Sequence, residues 1–426
     1  MILEKNTKKL LLFTVGILFL CLPLISIYAQ SADELKGKID QSNAEIAKLE
    51  QEIANYQKQL TAVGAQANTL SNAIKKLDLT RQKLLTDIKV TEKKINSATI
   101  KIEQLGLQIN DKKSTIEDNR SALNESMRAL YELDRGTIVE TILSNKSFSD
   151  AWQDIDNIGL FQGKIKEKVN QLAETKKGLE NNRSDAEDAR QELFDLKGEL
   201  SDQKKIVEQN TAEEKSLLKK TKNQEANYKK IVADKIALKN AFEQEIRDYE
   251  SKLKFILDPN TLPGRVLSWP LDKVFLTQQF GSTVDSKRLY VSGTHNGVDF
   301  RAAVGTPVKA MASGTVIGTG DTDITCPGAS FGRWVLIRYN NGLSSTYGHL
   351  SLIKANNGDV VSVGTIVGYS GNTGYSTGPH LHVSMYASNA VQVQSLPSKS
   401  CSGRIYTMPI AATNGYLDPL AFLPKI

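Results

Sequence analysis

The histidines of this 426-residue chain are few and concentrated, because all four lie in its last third, at His295, His349, His380 and His382. Asp299 stands four residues after the first of them. Histidines that serve only packing would also be expected in the longer N-terminal part. Two or three imidazoles and one carboxylate at such spacings are typical of a zinc site that keeps one position open for water.

The first candidate pair requires a bend in the chain. On a straight strand, His295 and Asp299 would lie about 13 Å apart, which is too far for one ion. Between them stands Asn296-Gly297, a pair that favours a bend. We therefore expect the two side chains to converge only if the strand is interrupted there.

The second candidate pair shares one face of a strand. His380 and His382 are two residues apart, so their side chains lie on the same face while Leu381 points into the core. A hydrolytic zinc site also needs a group that accepts a proton from water, and no glutamate follows Glu250. A histidine that is not bound to metal must take this role. The residues alone leave five candidate groups for three ligand roles and two acid-base roles.

The composition divides the chain into two parts. Apolar residues make up 40% and charged residues 24%, which excludes a wholly disordered chain and a multi-span membrane protein. The net charge of +6 is a mild bias that does not single out nucleic acid. From Arg265 to Ile426 there are seven Asp and no Glu, and glycine becomes dense after Pro259. These shifts predict a helical part followed by a domain of turns and short strands.

The second part is predicted to be one mainly antiparallel β-sheet domain at 269–426, joined to the first by a linker at 256–268 that contains Pro259 and Pro263. Its strand-like runs are separated by Gly and Asn turns. They begin at Thr306, Gly314, Trp334, Thr365 and His380.

The first part repeats every seven residues. Stepping by seven from Ile39 gives fourteen positions up to Leu130, of which only Arg81 is not apolar. A second run extends from Ile158 to Val207, and the register is unclear after it. A strict seven-residue repeat of this length predicts a left-handed coiled coil.

We expect these runs to form two long helices of about 95 residues each, folded back as an antiparallel hairpin at 30–255. The segment at 131–157 lacks the repeat and is expected to form a small helical tip. A parallel homodimer is the alternative, since heptads alone do not decide between the two arrangements.

The N-terminus has the pattern of a secretory signal. Three lysines up to Lys9 precede an apolar run from Leu10 to Ile27, and small residues follow. We expect a signal peptide at 1–29 with cleavage after Ala29, and a protein secreted to the cell envelope or periplasm. The alternative is an uncleaved anchor, because the run is long enough to span a membrane.

Two cysteines remain after removal of such a signal, Cys326 and Cys401. In an oxidising compartment they could form a disulfide, and the alternative is two free or buried thiols. A metal role is disfavoured because neither belongs to a Cys-x-x-Cys pair.

Six short motifs in a fixed order identify a family. They are Gln279-Phe280-Gly281, His295-Asn-Gly-Val-Asp299, Gly305-Thr-Pro-Val308, Gly314-Thr-Val316, Tyr347-Gly-His349 and Gly371-Asn-Thr-Gly-Tyr-Ser-Thr-Gly-Pro-His-Leu-His382. With these motifs, residues 269–423 resemble the LytM/lysostaphin-type zinc metallopeptidases, which cut peptide bonds in bacterial peptidoglycan. The resemblance implies that His295, Asp299 and His382 bind Zn²⁺. It also implies that His349 and His380 activate water and stabilise the charged intermediate.

Two features depart from the family pattern. Ser384 stands where relatives often carry Glu, which is expected to change the hydrogen bonds around the metal ligands. A long stretch from Ala387 to Asn414 precedes Asp418-Pro419 and is expected to remodel a loop near the groove. Neither departure removes a site group.

The resemblance implies a secreted zinc-dependent endopeptidase of peptidoglycan, with a coiled coil that positions or restrains the catalytic domain. The alternative is a non-catalytic activator of cell-wall amidases that uses the same domain as a binding groove. A degenerate activator would lack some of the five groups, and this chain has them all. The sequence does not indicate which peptide bond is cut.

The pairing of a coiled coil with this domain also resembles division-associated hydrolases. In those proteins the rod docks on a membrane complex similar to ABC transporters. The partners implied are therefore peptidoglycan and such a complex, the latter bound through the coiled coil. No nucleic acid is expected.

Overall fold

The computed structural model describes residues 32–64, 69–133, 148–253, 266–401 and 403–425, together with 255 and 264. The predicted signal peptide lies outside these residues, as do 134–147 of the predicted tip and most of the predicted linker. None of the described helices combines the length and the apolar character needed to cross a membrane.

Long helices come first and a sheet domain follows. The helices are α1 Ala32–Gly64, α2 Leu70–Leu133, α3 Phe148–Thr221 and α4 Glu225–Glu250. The predicted fold class, a long helical coiled-coil hairpin followed by a mainly antiparallel β-sheet domain, is confirmed. The chain divides into two compact units. Of the described residues, those within 1–42 and 97–191 form one unit, and those within 43–96 and 192–426 form the other.

In the first unit, α2 and α3 pair antiparallel. Asn182 donates a hydrogen bond of 3.1 Å to the side chain of Gln108. Lys112, four residues after Gln108 on α2, lies against Gly178, four residues before Asn182 on α3. The two helices therefore run in opposite directions. Leu105 on α2 is buried.

In the second unit, α1 folds back along α2. Glu45 forms an ion pair with Lys93, and a carboxylate oxygen of Glu52 lies 3.5 Å from the hydroxyl of Thr86. Residue numbers therefore increase along α1 while they decrease along the adjacent part of α2, which means that the two helices are antiparallel. The prediction of one continuous helix through Ile39–Leu130 is therefore wrong.

The break between α1 and α2 has a local cause. Gly64, where α1 ends, is a weak helix former. The side chain of Thr69 accepts a hydrogen bond of 3.3 Å from the backbone N–H of Asn72, as an N-cap does. Ala67 keeps the seven-residue count across this segment, so the periodicity alone does not reveal the break.

A second break separates α3 from α4. Lys222 and Asn223 have φ of 48° and 57°, in the left-handed region that ends a helix. Upstream of it, Gln203 on α3 donates 2.9 Å to Thr91 on α2, which makes this pair antiparallel as well. The break lies where the heptad register becomes unclear in the sequence.

Within the described residues, the sheet domain has ten strands in one sheet and a separate two-stranded hairpin. The strands are β1 Leu276–Gln278, β2 Val298–Arg301, β3 Pro307–Lys309, β4 Gly314–Asp321, β5 Arg333–Tyr339, β6 Leu343–Ile353, β7 Val360–Val361, β8 Ile366–Ser370, β9 His380–Ala387, β10 Val391–Pro397, β11 Ile405–Ala411 and β12 Tyr416–Leu417. The main order is β1-β2-β9-β6-β5-β4-β7, β12 pairs with β9, and β8 pairs with β3 and β6. The hairpin is β10-β11, and every pairing is antiparallel. A short helix, α5 Val284–Leu289, lies between β1 and β2.

Strand β9 divides the core from the candidate site. Leu381, Val383 and Met385 alternate along it and are fully buried in the main apolar cluster of the domain. His380 and His382 occupy the alternate positions, so they share the opposite face. The prediction that Leu381 packs in the core while the two histidines lie together is confirmed.

The middle of α2 and α3 rests on the sheet domain. Leu84 and Ile206 form a buried cluster with Tyr369 of β8. The hydroxyl of Tyr369 donates 3.3 Å to Asp202, which also forms an ion pair of 3.4 Å with Lys354. Because these contacts are buried or partly buried, the helices of this unit are fixed to the domain and are not a free spacer.

Cys326 and Cys401 form a disulfide, with their Cα atoms 5.7 Å apart. The bond joins the turn after β4 to the loop between β10 and β11. The expected extra stretch at 387–414 is thus the β10-β11 hairpin, which the disulfide ties to the rest of the domain.

Reduction of this disulfide, or Cys326→Ser combined with Cys401→Ser, is expected to lower the free energy of unfolding of the sheet domain. We expect a loss of about 2–4 kcal/mol, because the open chain gains freedom when unfolded. Urea unfolding followed by the fluorescence of the buried Trp334 measures it. Reductant should leave the double variant unchanged, and an unchanged midpoint for the reduced wild type would contradict the expectation.

Candidate metal centre and active site

Two neighbouring strands and one extended segment bring the candidate ligands together. Asp299 on β2 lies directly opposite His382 on β9 in the antiparallel register. His295 precedes β2 and forms an isolated bridge with Gly281. The chain is therefore interrupted between His295 and Asp299, as their spacing requires.

Gly297 permits this convergence by its lack of a side chain. A Cβ at this position would lie 2.4 Å from the carbonyl oxygen of Val383 and 2.7 Å from Nε2 of His382. The pair Asn296-Gly297 was expected to supply a bend, and the close approach of His382 adds a second reason for glycine. Any larger residue would displace the β9 backbone or the imidazole.

Three ligand atoms form a small triangle. Oδ1 of Asp299 lies 3.3 Å from Nε2 of His295 and 2.9 Å from Nδ1 of His382. The two nitrogens are 3.1 Å apart. Ligands about 2.0–2.1 Å from a tetrahedral zinc ion lie roughly 3.3 Å from one another. The donor set and its spacing therefore fit zinc, with a fourth position left for water or substrate.

The other ring nitrogen of each of these histidines is anchored. Nδ1 of His295 donates 3.0 Å to the carbonyl oxygen of Gln279, and Nε2 of His382 donates 2.8 Å to the hydroxyl of Ser384. Each bond places the proton on the far nitrogen, so that the near nitrogen offers its lone pair to the centre of the triangle.

His349 and His380 lie beside the triangle and are anchored in the same way. Their Nδ1 atoms donate 2.8 Å each to the carbonyl oxygens of Thr373 and Gly378. Their ring centres are 4.6 Å apart, and Nε2 of His380 is 3.6 Å from Oδ1 of Asp299. Both Nε2 atoms are thus free to exchange a proton with a group at the triangle.

The backbone of His349 is strained. Its φ of 60° lies in the left-handed region, which is uncommon for a residue with a side chain. Its N–H donates 2.7 Å to the carbonyl oxygen of Phe331, which helps to hold the conformation. Such strain often marks a site where the direction of a side chain matters for function.

Burial and neighbouring charges set the ionisation of the site. Burial alone would raise the pKa of Asp299, but hydrogen bonds to His295 and His382 and the nearby imidazoles hold this pKa well below its usual value. Burial lowers the pKa of His349 well below its usual value, and His380 and His382 add to the effect. Burial also lowers the pKa of His382, against the opposing influence of Asp299. A carboxylate and neutral imidazoles are the forms that bind a metal ion.

The site opens on two cavities. His349 and His382 line a cavity of about 140 Å³ that is also lined by Lys239 and Glu250 of α4. Asp299 and His380 line a wider groove of about 880 Å³, which is also lined by residues of α1 and α2. The smaller cavity is below the roughly 300–1,000 Å³ typical of ligand sites.

Helix α4 covers the smaller cavity with buried side chains. The amino group of Lys239 lies 4.1 Å from the ring centre of Tyr375 and donates to the carbonyl oxygen of Leu289. Tyr290 stacks on His295 with ring centres 5.3 Å apart and an interplanar angle of 8°. The amino group of Lys239 also lies 5.4 Å from the ring centre of Tyr290. This helix therefore contacts the aromatic wall of the site, by which we mean the rings of Tyr290 and Tyr375.

A second contact holds the carboxylate of Glu245 in a ring of donors. It accepts hydrogen bonds from the N–H of Lys399 at 2.7 Å and from that of Ser400 at 2.9 Å. The hydroxyls of Ser400 and Ser398 add bonds of 2.7 and 3.3 Å. The loop next to Cys401 is therefore a binding site for this helix.

The five groups that lie together were predictable from the sequence, whereas the helix that covers them was not. The available signal was the loss of the heptad register after Val207. Phe242 and Ile246 are apolar residues at helical spacing, and Phe242 packs on Tyr406 of β11 with ring centres 4.8 Å apart. A helix that packs on a sheet in this way has no reason to keep a seven-residue repeat.

A stretch of the sheet domain that holds the candidate site matches a known protein family. Residues 293–394 match the model of Peptidase family M23. The chain is 43% identical over 91 residues to lysostaphin of Staphylococcus staphylolyticus. This alignment covers 21% of this chain and 18% of that protein. It is also 36% identical over 118 residues to the peptidoglycan DD-endopeptidase ShyA of Vibrio cholerae. This second alignment covers 27% of this chain and 25% of that protein. The chain thus spans about a fifth to a quarter of these relatives.

Among solved structures, the catalytic domain of the antimicrobial peptidase lysostaphin from Staphylococcus simulans matches at 29% identity and a TM-score of 0.26. This match covers 35% of the present chain and 91% of the lysostaphin domain. All five site residues fall inside the region that matches the family. Residues 293–394 are therefore similar to peptidase M23 domains, with relatives that include lysostaphin.

Proposed function

We propose that this protein is a zinc-dependent endopeptidase that cleaves peptide bonds in bacterial peptidoglycan, and that its helices restrain the catalytic domain. The observation that carries the first half is the triangle of ligand atoms from His295, Asp299 and His382, with sides of 2.9 to 3.3 Å. Two further histidines beside it supply the acid-base groups that hydrolysis needs.

The roles of the residues follow from their anchored ring nitrogens. A zinc ion held by the triangle would polarise a peptide carbonyl and make water nucleophilic at neutral pH. His349 and His380 each present Nε2 towards the reacting group. One accepts the proton of the attacking water at Nε2, and the other, once it carries a proton on Nε2 as well as on Nδ1, donates a hydrogen bond to the developing oxyanion. The proton is then available to the leaving amine.

The restraint is supported by the position of α4. Lys239, Phe242 and Glu250 are almost fully buried against the sheet domain, and the cavity beside His349 and His382 is small. A peptide strand needs more room than this cavity offers. We therefore propose that α4 must leave before the substrate can occupy the whole site.

The location and the releasing partner are further parts of the proposal. Peptidoglycan lies outside the cytoplasm, which agrees with the secretory pattern at 1–29 and with a Cys326–Cys401 disulfide. A membrane complex similar to ABC transporters, bound through the coiled coil, is the proposed partner that moves α4.

Substitution at the triangle and beside it is expected to separate metal binding from hydrolysis. His295→Ala should lose both bound zinc and the digestion of isolated peptidoglycan, since it removes a ligand. His349→Ala should retain zinc and lose at least about 100-fold in rate, because it removes only an acid-base group. Zinc content and the release of soluble wall fragments are measured on the full chain.

The same measurements identify the alternative function. If the wild type and Phe242→Ala both bind no zinc and leave the wall intact, the endopeptidase proposal is wrong and an amidase activator is favoured. Mass analysis of the released fragments identifies the bond that is cut.

Phe242→Ala is expected to release α4 and raise the rate of peptidoglycan digestion by at least about tenfold. Loss of a buried Phe side chain costs about 3–5 kcal/mol, and each 1.4 kcal/mol is a factor of about ten in population. Gln244→Ala on the exposed side of the same helix is the control. Equal rates for the two variants would argue against restraint by α4.

The attachment of α4 is expected to weaken as the pH rises, because of Glu250. Burial raises the pKa of this carboxyl from 4.5 to about 7, although Tyr416 and Arg247 oppose the effect. The docked helix thus favours the protonated form, so docking is strongest below pH 4.5 and weakens up to pH 7. The loss amounts to about 3 kcal/mol.

Urea unfolding of the zinc-free protein at pH about 5 and about 8 measures this loss. The wild type should lose more stability over this interval than Glu250→Gln, whose amide does not titrate. Equal losses in the two proteins would show that Glu250 is not the group responsible.

A further inference from the structure

Basic side chains predominate in the wider groove beside the candidate metal centre. Among the described residues, its basic members are Lys58 on α1, Lys76 on α2, Lys273 and Arg301 on β2. Its acidic members are Asp272 and Asp299. Asp299 belongs to the candidate metal centre, and Asp272 forms an ion pair of 2.5 Å with Lys309, which lies outside the groove lining. The described part of the groove therefore has an excess of positive charge, which attracts anionic ligands.

Arg301 lies next to the groups that are proposed to react. It stands two residues after Asp299 on β2, so both side chains are on one face of the strand, while Phe300 between them is buried in the core. In the antiparallel register Arg301 is opposite His380. The positions of Asp299 and Arg301 are about 7 Å apart along the strand, which is the length of about two residues of an extended peptide. A substrate group held by Arg301 would therefore lie about two residues from the bond at the metal centre.

The guanidinium group of Arg301 is held in place but has no acceptor. Its central carbon lies 4.2 Å from the ring centre of Phe275, and stacking on a ring leaves the N–H donors at the edge of the guanidinium plane open. The backbone N–H of Arg301 donates 2.8 Å to the carbonyl oxygen of Phe275. Within the described part of the chain, the guanidinium group forms no hydrogen bond and no ion pair. Such a planar fork of free donors matches a carboxylate, which it can bind through two parallel hydrogen bonds.

Lys76 adds a second cation close to His380. Its Nζ lies 3.5 Å from the point where a Cβ of Gly378 would stand, and the carbonyl oxygen of Gly378 accepts the 2.8 Å hydrogen bond from Nδ1 of His380. Burial lowers the pKa of Lys76, while the charge of Glu213 opposes this effect. An anion bound nearby would favour the charged ammonium group further.

The groove has room for a peptide. Its volume of about 880 Å³ falls within the range of roughly 300–1,000 Å³ that is typical of ligand sites. Its described lining includes no residue of α4. A peptide segment can therefore occupy this part of the site while α4 still covers the smaller cavity.

Two kinds of peptide crosslink in peptidoglycan differ in charge. A crosslink between stem peptides carries free carboxylates, whereas a bridge made of glycine alone has no charged side chain. A groove with free cationic donors gains charge-assisted hydrogen bonds only from the first kind. The charge of the groove therefore distinguishes the two substrate classes that the sequence leaves open.

We propose that Arg301 is a specificity-determining residue that binds a free carboxylate about two residues from the cleaved bond, and that the groove therefore selects stem-peptide crosslinks over glycine bridges. Phe275 positions the guanidinium group, and Lys76 strengthens the attraction. This inference rests on the proposed function and adds to it the class of substrate.

The test is the binding of one labelled peptide, in two forms, to the zinc-free full chain, measured by fluorescence anisotropy. One form is a synthetic stem-peptide crosslink with free carboxylates, and in the other form every carboxylate is an amide. Without zinc, no peptide is cut and no carboxylate binds the metal. The wild type should bind the acid form at least about tenfold more tightly, since hydrogen bonds to charged groups contribute about this much. Arg301→Gln should lose most of this preference and bind the amide form like the wild type.

Two further variants complete the test. Arg301→Lys, which keeps the charge without the planar fork, should show an intermediate preference. Arg338→Gln is the matched control, because Arg338 is an exposed arginine of β5 that does not line the groove. Its preference should equal that of the wild type. Thermal unfolding checks that the variants fold, which is expected because both arginines are exposed.

Four results would overturn the proposal. They are equal binding of the two forms by the wild type, binding of neither form, a wild-type preference in Arg301→Gln, and an equal loss of preference in Arg338→Gln.

These results are distinct from a failure of the proposed function. A wild type that prefers the acid form through Arg301 but digests no peptidoglycan when zinc is bound would refute the endopeptidase and leave the carboxylate site standing. A zinc-loaded wild type that digests walls with glycine bridges as fast as walls with direct stem-peptide crosslinks would refute the selection and leave the endopeptidase standing.

Discussion

The structure of the site depends on one buried carboxylate. Asp299 is 6% exposed and lies within 3.6 Å of the ring nitrogens of His295, His380 and His382. A carboxylate in such a place would be too costly without these partners. The antiparallel pairing of β2 with β9, the interruption before β2 and the absence of a side chain at Gly297 all serve to bring these groups together.

A second constraint comes from the helix above the site. Helix α4 presents Phe242 to an apolar cluster, Glu245 to a ring of four donors and Glu250 to Tyr416. Apolar burial and satisfied polar contacts act together here, which gives the helix one defined position on the domain. Its removal would expose the aromatic wall around Tyr290 and the cavity beside His349 and His382.

Much of this arrangement could be predicted from local features, and the rest could not. Periodicity and composition indicate the helical part and the sheet domain, and the spacing of the histidines indicates which of them share a face. The fold-back at Gly64 escaped prediction because Ala67 preserves the heptad count. The position of α4 escaped prediction because it depends on contacts across more than 150 residues, such as that of Glu245 with Ser400. Sequence spacing carries no information about such pairs.

The place of α4 in the chain has a consequence for biosynthesis. Residues 225–250 precede the whole sheet domain, so they leave the ribosome before any strand of that domain exists. The last strand of the sheet along the chain, β12, carries the tyrosine that meets Glu250. In each new molecule the covering helix is therefore already present while the candidate ligands are still being brought together.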